Sequence, residues 1–199
     1  MSGANRSAAV ERNTAETKIN VSWNLDGSGT HSISTGLPFF DHMLAQLAKH
    51  SRSDLKIEVL GDLDVDAHHS VEDTGIALGQ ALLVALGNKV GIRRFASLSL
   101  PLDEALVSIA IDLSGRPFLE FRGELSDGNL LGNPGFDPQL TEEFLRAFVA
   151  SAGISAHVDI VRGKNSHHMV EATFKCLARC LRDAVAIEGD SLPSTKGTL

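Results

Sequence analysis

Two copies of one short motif carry the residues best suited to chemistry in this sequence. The motif His-His-x-x-Glu occurs at His68, His69 and Glu72, and again at His167, His168 and Glu171. Residues four apart lie on one face of a helix, so the first His and the Glu of each motif can point in the same direction. The second His lies about 100° round the helix, so one helix can offer ligands to two different ions. Imidazole together with carboxylate suits Mn, Fe, Zn or Ni better than Ca or Mg.

A structural role is the alternative to a metal site for each motif. Paired histidines at the start of a helix can cap it, contact solvent or line a core. Two copies at matching positions of a repeat favour metal, because His has little structural reason to pair twice in this way. Carboxylate and His ligands from facing helices are a known way to build dinuclear metal sites.

Several cationic and hydroxyl side chains are candidates for binding an anion. Lys175 follows Glu171 by four residues and therefore lies on the same helical face. The tail SLPSTKGTL offers a hydroxyl, backbone amides and a cation, which suit a phosphate. Neither a Walker motif nor a dinucleotide-binding glycine pattern occurs. The anion-binding candidates are Arg94, Arg116, Lys175, Ser194 and Lys196.

The elements that must hold these residues form an internal repeat. In the first half, strand-like runs at 17–25 and 30–35 flank Asp-Gly-Ser-Gly, which indicates a hairpin. A helix from Pro38 to His50, a strand at 54–60 and a helix from His68 to about Lys89 follow. The second half repeats this order with strands at 104–113 and 118–122, a helix at 140–153, a strand at 155–161 and a helix at 167–187. A strand near 95–100 is expected to join the halves.

The repeat predicts an α+β fold of two duplicated β-β-α-β-α halves, packed as sheets against a helical layer. We divide the chain into a flexible N-terminal arm (1–15), the first half-repeat (16–94), the second half-repeat (95–190) and a C-terminal phosphate-binding tail (191–199).

Each motif is expected to have a further ligand on the shorter helix of the repeat. His42 lies in the first short helix, 19 residues before Gly61. Counting back 20 residues from Gly163 reaches Glu143, the candidate eighth ligand. Alternatively, Glu143 is a surface residue beside Glu142.

Composition excludes several classes of protein. The net charge of -7, with no basic stripe, argues against a nucleic-acid partner. No apolar run approaches the roughly 18 residues of a membrane span, and the first residues do not resemble a secretory signal. Cys176 and Cys180 are four apart, so we expect two buried thiols without a disulfide, as in a cytoplasmic protein.

Six segments occur in this order along the chain: TGLPFFDHML, HHSVEDTGIALGQAL, GIRRF, PLDEALVSIAIDLSGRP, GKNSHHMVEATFK and LPSTKGTL. In their order and spacing they resemble one family, the imidazoleglycerol-phosphate dehydratases, and the match runs from about Glu16 to Leu199. The resemblance implies conversion of imidazole glycerol phosphate to imidazole acetol phosphate, with loss of water, in histidine biosynthesis. It also implies two Mn²⁺ ions per active site and a homo-oligomeric cubic shell of 24 subunits, with each site built from neighbouring subunits.

The resemblance also implies roles for individual residues. Matching positions make His42, His68, His69, Glu72, His167, His168 and Glu171 metal ligands. Glu16, His50, Arg94, Arg116, Lys175, Ser194 and Lys196 match substrate contacts, the last five chiefly around the phosphate. Two features depart from the family's pattern. Many members carry His where this chain has Glu143, and the loop at 127–138 is unlike the usual one.

The implied reaction suits these ligands. The proton to be removed lies on a carbon without an adjacent carbonyl, so a base alone faces a high barrier. A metal on the imidazole nitrogen can stabilise a deprotonated ring, whose electrons then expel the hydroxyl group. A carboxylate would move protons, and Glu16, Glu72 and Glu171 are the candidates.

Two other functions remain open from the residues alone. One is a different dimetal enzyme, such as a hydrolase, acting on a phosphorylated small molecule. The other is a non-catalytic assembly of the same fold, in which the His-Glu clusters bind metal only to join subunits and the altered Glu143 marks lost activity.

Overall fold

The computed structural model describes residues 6–125 and 128–199. Within these ranges the chain forms eight strands and four helices. The first six elements are β1 (Ser7–Asn13), β2 (Thr17–Asn24), β3 (His31–Ser34), α1 (Pro38–Ser51), β4 (Asp54–Gly61) and α2 (His68–Leu86). The next six are β5 (Phe95–Leu102), β6 (Ala105–Asp112), β7 (Phe118–Arg122), α3 (Leu140–Ala152), β8 (Ser155–Arg162) and α4 (Ser166–Ala184).

The two halves are duplicated as the sequence predicts, and the α+β class is confirmed. The first half begins with an unpredicted strand, β1, and the strand expected near 95–100 is β5 at the start of the second half, so the repeat is β-β-β-α-β-α. β1 pairs with β2 along its whole length, from Ser7 opposite Asn24 to Asn13 opposite Lys18. The expected flexible arm at 1–15 is therefore wrong for the strand residues, and residues 1–5 lie outside the described part. β5 pairs with β6 in the same way, so it is the second half's copy of β1.

The strands form two four-stranded sheets with the same order. The first is β1-β2-β4-β3 and the second is β5-β6-β8-β7. The predicted hairpin between the strands at 17–25 and 30–35 is wrong, because β4 lies between them. β2 pairs with β4 antiparallel and β3 pairs with β4 parallel, so burial of β4 between two neighbours outweighs the local turn signal.

Alternation along the strands supplies one buried face per sheet. In β2, Ile19, Val21 and Trp23 point inward, and in β6, Val107, Ile109 and Ile111 do the same. The helices cover these faces, with α2 packed on β1 and β2, and α4 packed on β5 and β6. The two helical faces meet in a cluster of buried aromatic rings. Phe144 in α3 lies 5.6 Å from Phe40 in α1 and 5.1 Å from Phe174 in α4, between ring centroids.

Each short helix packs against the long helix of the other half. α1 contacts α4, and α3 contacts α2. Glycines allow the second pair to approach closely, since a Cβ at Gly75 would lie 2.7 Å from the Phe144 carbonyl oxygen. This exchange brings His42 of the first half to the motif of the second half.

Two predictions about composition can be compared with the structure. Cys176 and Cys180 are buried free thiols, as expected. No helix within the described ranges is long and apolar enough to cross a membrane.

Candidate metal centre and anion-binding residues

Three ligand-type side chains converge where α1 meets the start of α4. His42 Nε2 lies 3.5 Å from Glu171 Oε2, and His167 Nε2 lies 3.0 Å from the same oxygen. One ligand atom from each residue lies within 4.8 Å of both others. Ligands bound about 2.1 Å from one ion are separated by about 3 to 4 Å, so this spacing fits a shared metal ion.

Local structure sets the position of this cluster. Asn165 caps α4, because its side-chain oxygen accepts hydrogen bonds from the backbone N–H groups of His167 (2.9 Å) and His168 (3.4 Å). Pro38 begins α1. Phe39, in the first turn of α1, meets the His167 ring edge-on at 5.1 Å. The cap and the ring contact hold His167 towards His42.

A row of polar side chains continues from the cluster along α1 and α4. Lys175 Nζ lies 2.6 Å from Glu171 Oε1. Gln46 contacts His42 Nδ1 at 3.4 Å and His50 Nε2 at 3.1 Å. Burial acts to raise the pKa of Glu171, but hydrogen bonds from Lys175 and His167 outweigh it and hold the pKa below its ordinary value. Glu171 is thus kept as a carboxylate, the form that binds a metal.

His50 lies in the positive end of this row. Burial lowers the pKa of His50, and the nearby charges of Lys175 and Arg179 lower it further. His50 is therefore held neutral, which leaves it able to donate one hydrogen bond and accept another.

The first motif forms a related group at the start of α2. His68 Nε2 lies 3.5 Å from Glu72 Oε2. Glu143, on α3, lines the same surface cleft as Glu72. Glu72 and Glu143 thus share one surface cleft, but among the described residues only His42, His167 and Glu171 bring ligand atoms within 4.8 Å of one another.

The second His of each motif contacts an acidic residue at a strand end. His69 Nδ1 lies 3.0 Å from Asp62 Oδ2, and His168 Nδ1 lies 2.8 Å from Glu104 Oε2. These hydrogen bonds raise the pKa of both histidines. The bond from His168, with two backbone N–H groups, lowers the pKa of Glu104 from 4.5 to about 2.

Glu16 lies at the same end of the first sheet. Its Oε1 is 3.8 Å from His69 Nε2, and its side chain is 52% exposed. Among the three candidate bases, Glu16 is the most exposed, since Glu72 is 45% and Glu171 is 12% exposed.

The remaining anion-binding candidates lie at the other end of the second sheet. Arg94 forms a two-point ion pair with Asp112, at 2.7 and 3.1 Å, and also donates to the Pro193 carbonyl at 2.8 Å. This contact ties the tail to the sheet. Arg116 and Lys196 are exposed, and Ser194 Oγ accepts from the Lys196 backbone N–H at 3.2 Å.

The loop that departs from the family's pattern is anchored next to the first motif. Phe136 is fully buried and packs 5.4 Å from Phe39 and 5.7 Å from Phe40, between ring centroids. Leu130 and Pro134 line a cleft of about 360 Å³ together with His68. The loop residues Ser126 and Asp127 lie outside the described part of the chain.

The fold thus brings His42, His167, Glu171, Lys175 and His50 together, while Arg94, Arg116, Ser194 and Lys196 lie apart from them. Sequence reasoning missed Glu104, Asp62 and Gln46. The repeat held a signal for Glu104, because it directly precedes β6 just as Glu16 directly precedes β2.

A duplicated α+β fold with this histidine–carboxylate centre is that of a dehydratase, an enzyme of the hydro-lyase class, as comparison with known proteins shows. A family model described as imidazoleglycerol-phosphate dehydratase matches residues 35–181. This span is more than half of the chain and contains both His-His-x-x-Glu motifs. The chain belongs to the imidazoleglycerol-phosphate dehydratase family.

Relatives and solved structures agree with this assignment. The chain is 53% identical over 197 residues to an imidazoleglycerol-phosphate dehydratase of Ruegeria pomeroyi, covering 98% of this chain and 100% of the relative. The structure of the dehydratase from Staphylococcus aureus is 38% identical, with a TM-score of 0.81 over 91% of this chain and 99% of that one. The enzyme from Pyrococcus furiosus, solved in complex with (S)-C348, is 34% identical, with a TM-score of 0.82 over 96% of this chain and 100% of that one.

Proposed function

We propose that the protein converts imidazole glycerol phosphate to imidazole acetol phosphate, with loss of water, as a step of histidine biosynthesis. The observation that carries this proposal is the convergence of His42, His167 and Glu171 at the contact of α1 and α4. Its support is strengthened by Lys175, which lies beside Glu171, and by membership of the dehydratase family.

The proposed cofactor is a pair of Mn²⁺ ions per active site. His42, His167 and Glu171 are one set of ligands, and His68, Glu72 and Glu143 are the repeat-related set. His69 and His168 complete the set of eight proposed metal ligands. When bound, the ions supply Lewis-acid stabilisation of negative charge on the substrate's imidazole ring. Glu143 in place of His adds a carboxylate to the second set, which favours a harder ion such as Mn²⁺.

Glu16 is the carboxylate best placed to move the carbon-bound proton. Glu171 already contacts His42, His167 and Lys175, so its oxygens are committed to holding those groups. Glu72 lies beside His68. Glu16 is half exposed beside His69 of the first motif, so its carboxylate is free to accept a proton from a bound substrate and return it.

The phosphate is bound by a second copy of the chain. Glu104, beside His168, and Asp112, beside Arg94, lie at opposite ends of β6, and eight residues of strand span about 27 Å. The length of α4 gives a similar separation between Arg94 and His167. The backbone N–H of Arg94 donates to the carbonyl of Ala184 at the end of α4, and His167 lies at its start, about 25 Å away along the helix. An imidazole ring, a three-carbon chain and a phosphate are far shorter than this.

The active site therefore lies between subunits in this proposal. Lys175 and His50 would contact substrate from the metal-binding subunit. Arg94, Arg116, Ser194 and Lys196 of a neighbouring copy would bind the phosphate. A closed shell of 24 copies repeats such a contact at every site. The free thiols Cys176 and Cys180 suit the reducing cytoplasm as the place of this reaction.

A direct assay tests the proposal. Purified protein stripped of metal and reloaded with Mn²⁺ is incubated with imidazole glycerol phosphate, and the ketone product is quantified. We expect Mn²⁺-dependent ketone formation, lost in His167→Asn. His157→Asn is the matched control, because His157 lies on β8 and packs against Phe118 at 5.6 Å.

The two rival functions predict different outcomes. A hydrolase on the same fold would release inorganic phosphate and form no ketone. A metal-joined assembly without activity would bind Mn²⁺ and form neither product. Either result, with Mn²⁺ binding demonstrated in the same sample, would overturn the dehydratase proposal.

A further inference from the structure

The second His of each motif is held by an acidic residue that no sequence motif singles out. Both contacts use Nδ1 of the His, at 3.0 Å for His69 with Asp62 and 2.8 Å for His168 with Glu104. We propose that Glu104 and Asp62 are positioning residues that fix these two rings with Nε2 free to bind a metal ion. The inference rests on the proposed metal sites and adds the residues that prepare them.

Glu104 makes the more complete set of contacts. Its Oε2 accepts the Nδ1–H of His168, and its Oε1 accepts the backbone N–H groups of Lys164 (3.1 Å) and Asn165 (2.8 Å). Asn165 in turn caps the helix at His167 and His168. One carboxylate therefore fixes both the turn that begins α4 and the orientation of a ring in its first turn.

Asp62 has the corresponding task in the first half, from a different position in the repeat. Asp62 directly follows β4, whereas Glu104 directly precedes β6. The repeat position of Glu104 in the first half is Glu16, which precedes β2 and lies on the Nε2 side of His69 at 3.8 Å. Because Asp62 accepts the hydrogen bond from the His69 ring, Glu16 is not needed to position that ring. The repeat-related carboxylates Glu16 and Glu104 therefore have different roles in the two halves.

Chemistry explains why a carboxylate is needed at these positions. A neutral imidazole carries one N–H, and a metal can bind only the other nitrogen. A carboxylate can only accept, so it places the hydrogen on Nδ1 and leaves the lone pair on Nε2. An amide in the same place presents an NH₂ group, which makes Nδ1 the acceptor and moves the hydrogen to Nε2.

Glu104→Gln is the sharpest test, since Gln keeps the shape and can still accept from Lys164 and Asn165. We expect the affinity for Mn²⁺, measured by competition with a chelator on the intact assembled protein, to fall by about 10-fold to 100-fold. Glu120→Gln is the matched control, because Glu120 forms an ion pair with the exposed Arg122 on β7, away from both histidines. The thermal midpoint of the metal-free variant is measured beside the affinity, so that a general loss of stability is recognised.

Each outcome decides between the inference and the proposed function. Weaker Mn²⁺ binding in Glu104→Gln and in Asp62→Asn, with Glu120→Gln unchanged, supports the positioning role. Wild-type affinity in both variants overturns it while leaving the metal sites standing. Failure of the wild-type protein to bind Mn²⁺ instead overturns the proposed function. If Glu104→Gln does not assemble, Asp62→Asn decides alone, because Asp62 contacts His69 without bonding to the turn that begins α4.

Discussion

Glu171 and Lys175 form an ion pair of 2.6 Å, one helical turn apart on α4. The other oxygen of Glu171 faces His42 and His167. This single carboxylate therefore joins the candidate metal ligands to the nearest candidate for binding the substrate's phosphate. Substitution of Lys175 should consequently change the affinity of the proposed site for its metal ion.

Replacing Lys175 with Met removes a hydrogen bond and a charge that lower the pKa of Glu171. The pKa of Glu171 should rise, and because metal binding needs the carboxylate, Mn²⁺ should dissociate at a higher pH than in the wild type as the solution is acidified. The measurement is Mn²⁺ affinity as a function of pH. Lys56→Met, at an exposed pair with Glu58, is the control. If Mn²⁺ dissociates from Lys175→Met at the same pH as from the wild type, Lys175 does not lower the pKa of Glu171.

Glu143→Gln tests the altered ligand. A neutral amide is a much weaker ligand than a carboxylate, so we expect fewer Mn²⁺ ions per subunit after gel filtration, by metal analysis. Glu142→Gln is the neighbouring control, since Glu142 is paired with Arg146 on the surface. If Glu143→Gln binds as many Mn²⁺ ions per subunit as the wild type, Glu143 is not a metal ligand and is a surface residue, the alternative that the sequence left open.

Arg94→Gln should destabilise the protein and loosen the tail. The variant leaves Asp112 without its two-point partner and removes the bond to Pro193, at a cost of roughly 2 kcal/mol in the free energy of unfolding. Arg93→Gln breaks an exposed pair with Glu188, which solvent screens, and should lower the free energy of unfolding much less than Arg94→Gln does. Chemical denaturation of both variants measures this difference. Equal losses would argue against a special role for Arg94 in holding the tail.

Mixed assemblies test whether the site is shared between subunits. His167→Asn removes a proposed metal ligand, and Arg116→Ala removes a proposed phosphate contact at the other end of the second sheet, so each variant alone should be inactive or nearly so. Co-assembly should restore part of the activity, because some sites then receive an intact half from each parent. Activity that stays at the level of the separate variants, in particles shown to contain both, would place the whole site within one chain.

Acid stability of the metal-free protein should depend on Glu104. Its pKa is about 2 in the folded protein, against an ordinary value of 4.5. A lowered pKa stabilises the folded state fully above pH 4.5, and this stabilisation is lost as the pH falls from 4.5 to about 2. The difference in thermal midpoint between wild type and Glu104→Gln should therefore be largest above pH 4.5 and shrink towards pH 2. A difference independent of pH would refute this linkage.

Local patterns predicted the elements of the fold well where spacing alone decides the outcome. The i, i+4 spacing of His167, Glu171 and Lys175 predicted their shared face, and the duplication predicted two matching halves. β1 was missed because Ser7–Asn13 alternates only weakly in hydrophobicity, and its pairing with β2 is what makes it a strand.

Local sequence patterns did not predict the pairings between residues that are far apart in the sequence. The turn between β2 and β3 suggested a hairpin, but the insertion of β4 depends on pairing between residues more than 30 apart, such as Ile57 opposite Val21. The packing of α1 on α4 of the other half depends likewise on apolar surfaces far apart in sequence. Glu104 and Asp62 escaped notice because single acidic residues at strand ends are ordinary, and only the folded contact to a His ring gives them meaning.

Anomalous diffraction at the Mn absorption edge, from crystals grown with saturating Mn²⁺, tests the central claim most directly. The account predicts a peak within about 2.0 to 2.3 Å of His167 Nε2 and a Glu171 oxygen, with His42 completing the set. No peak at this group, or Mn²⁺ bound only elsewhere in the assembly, would contradict it.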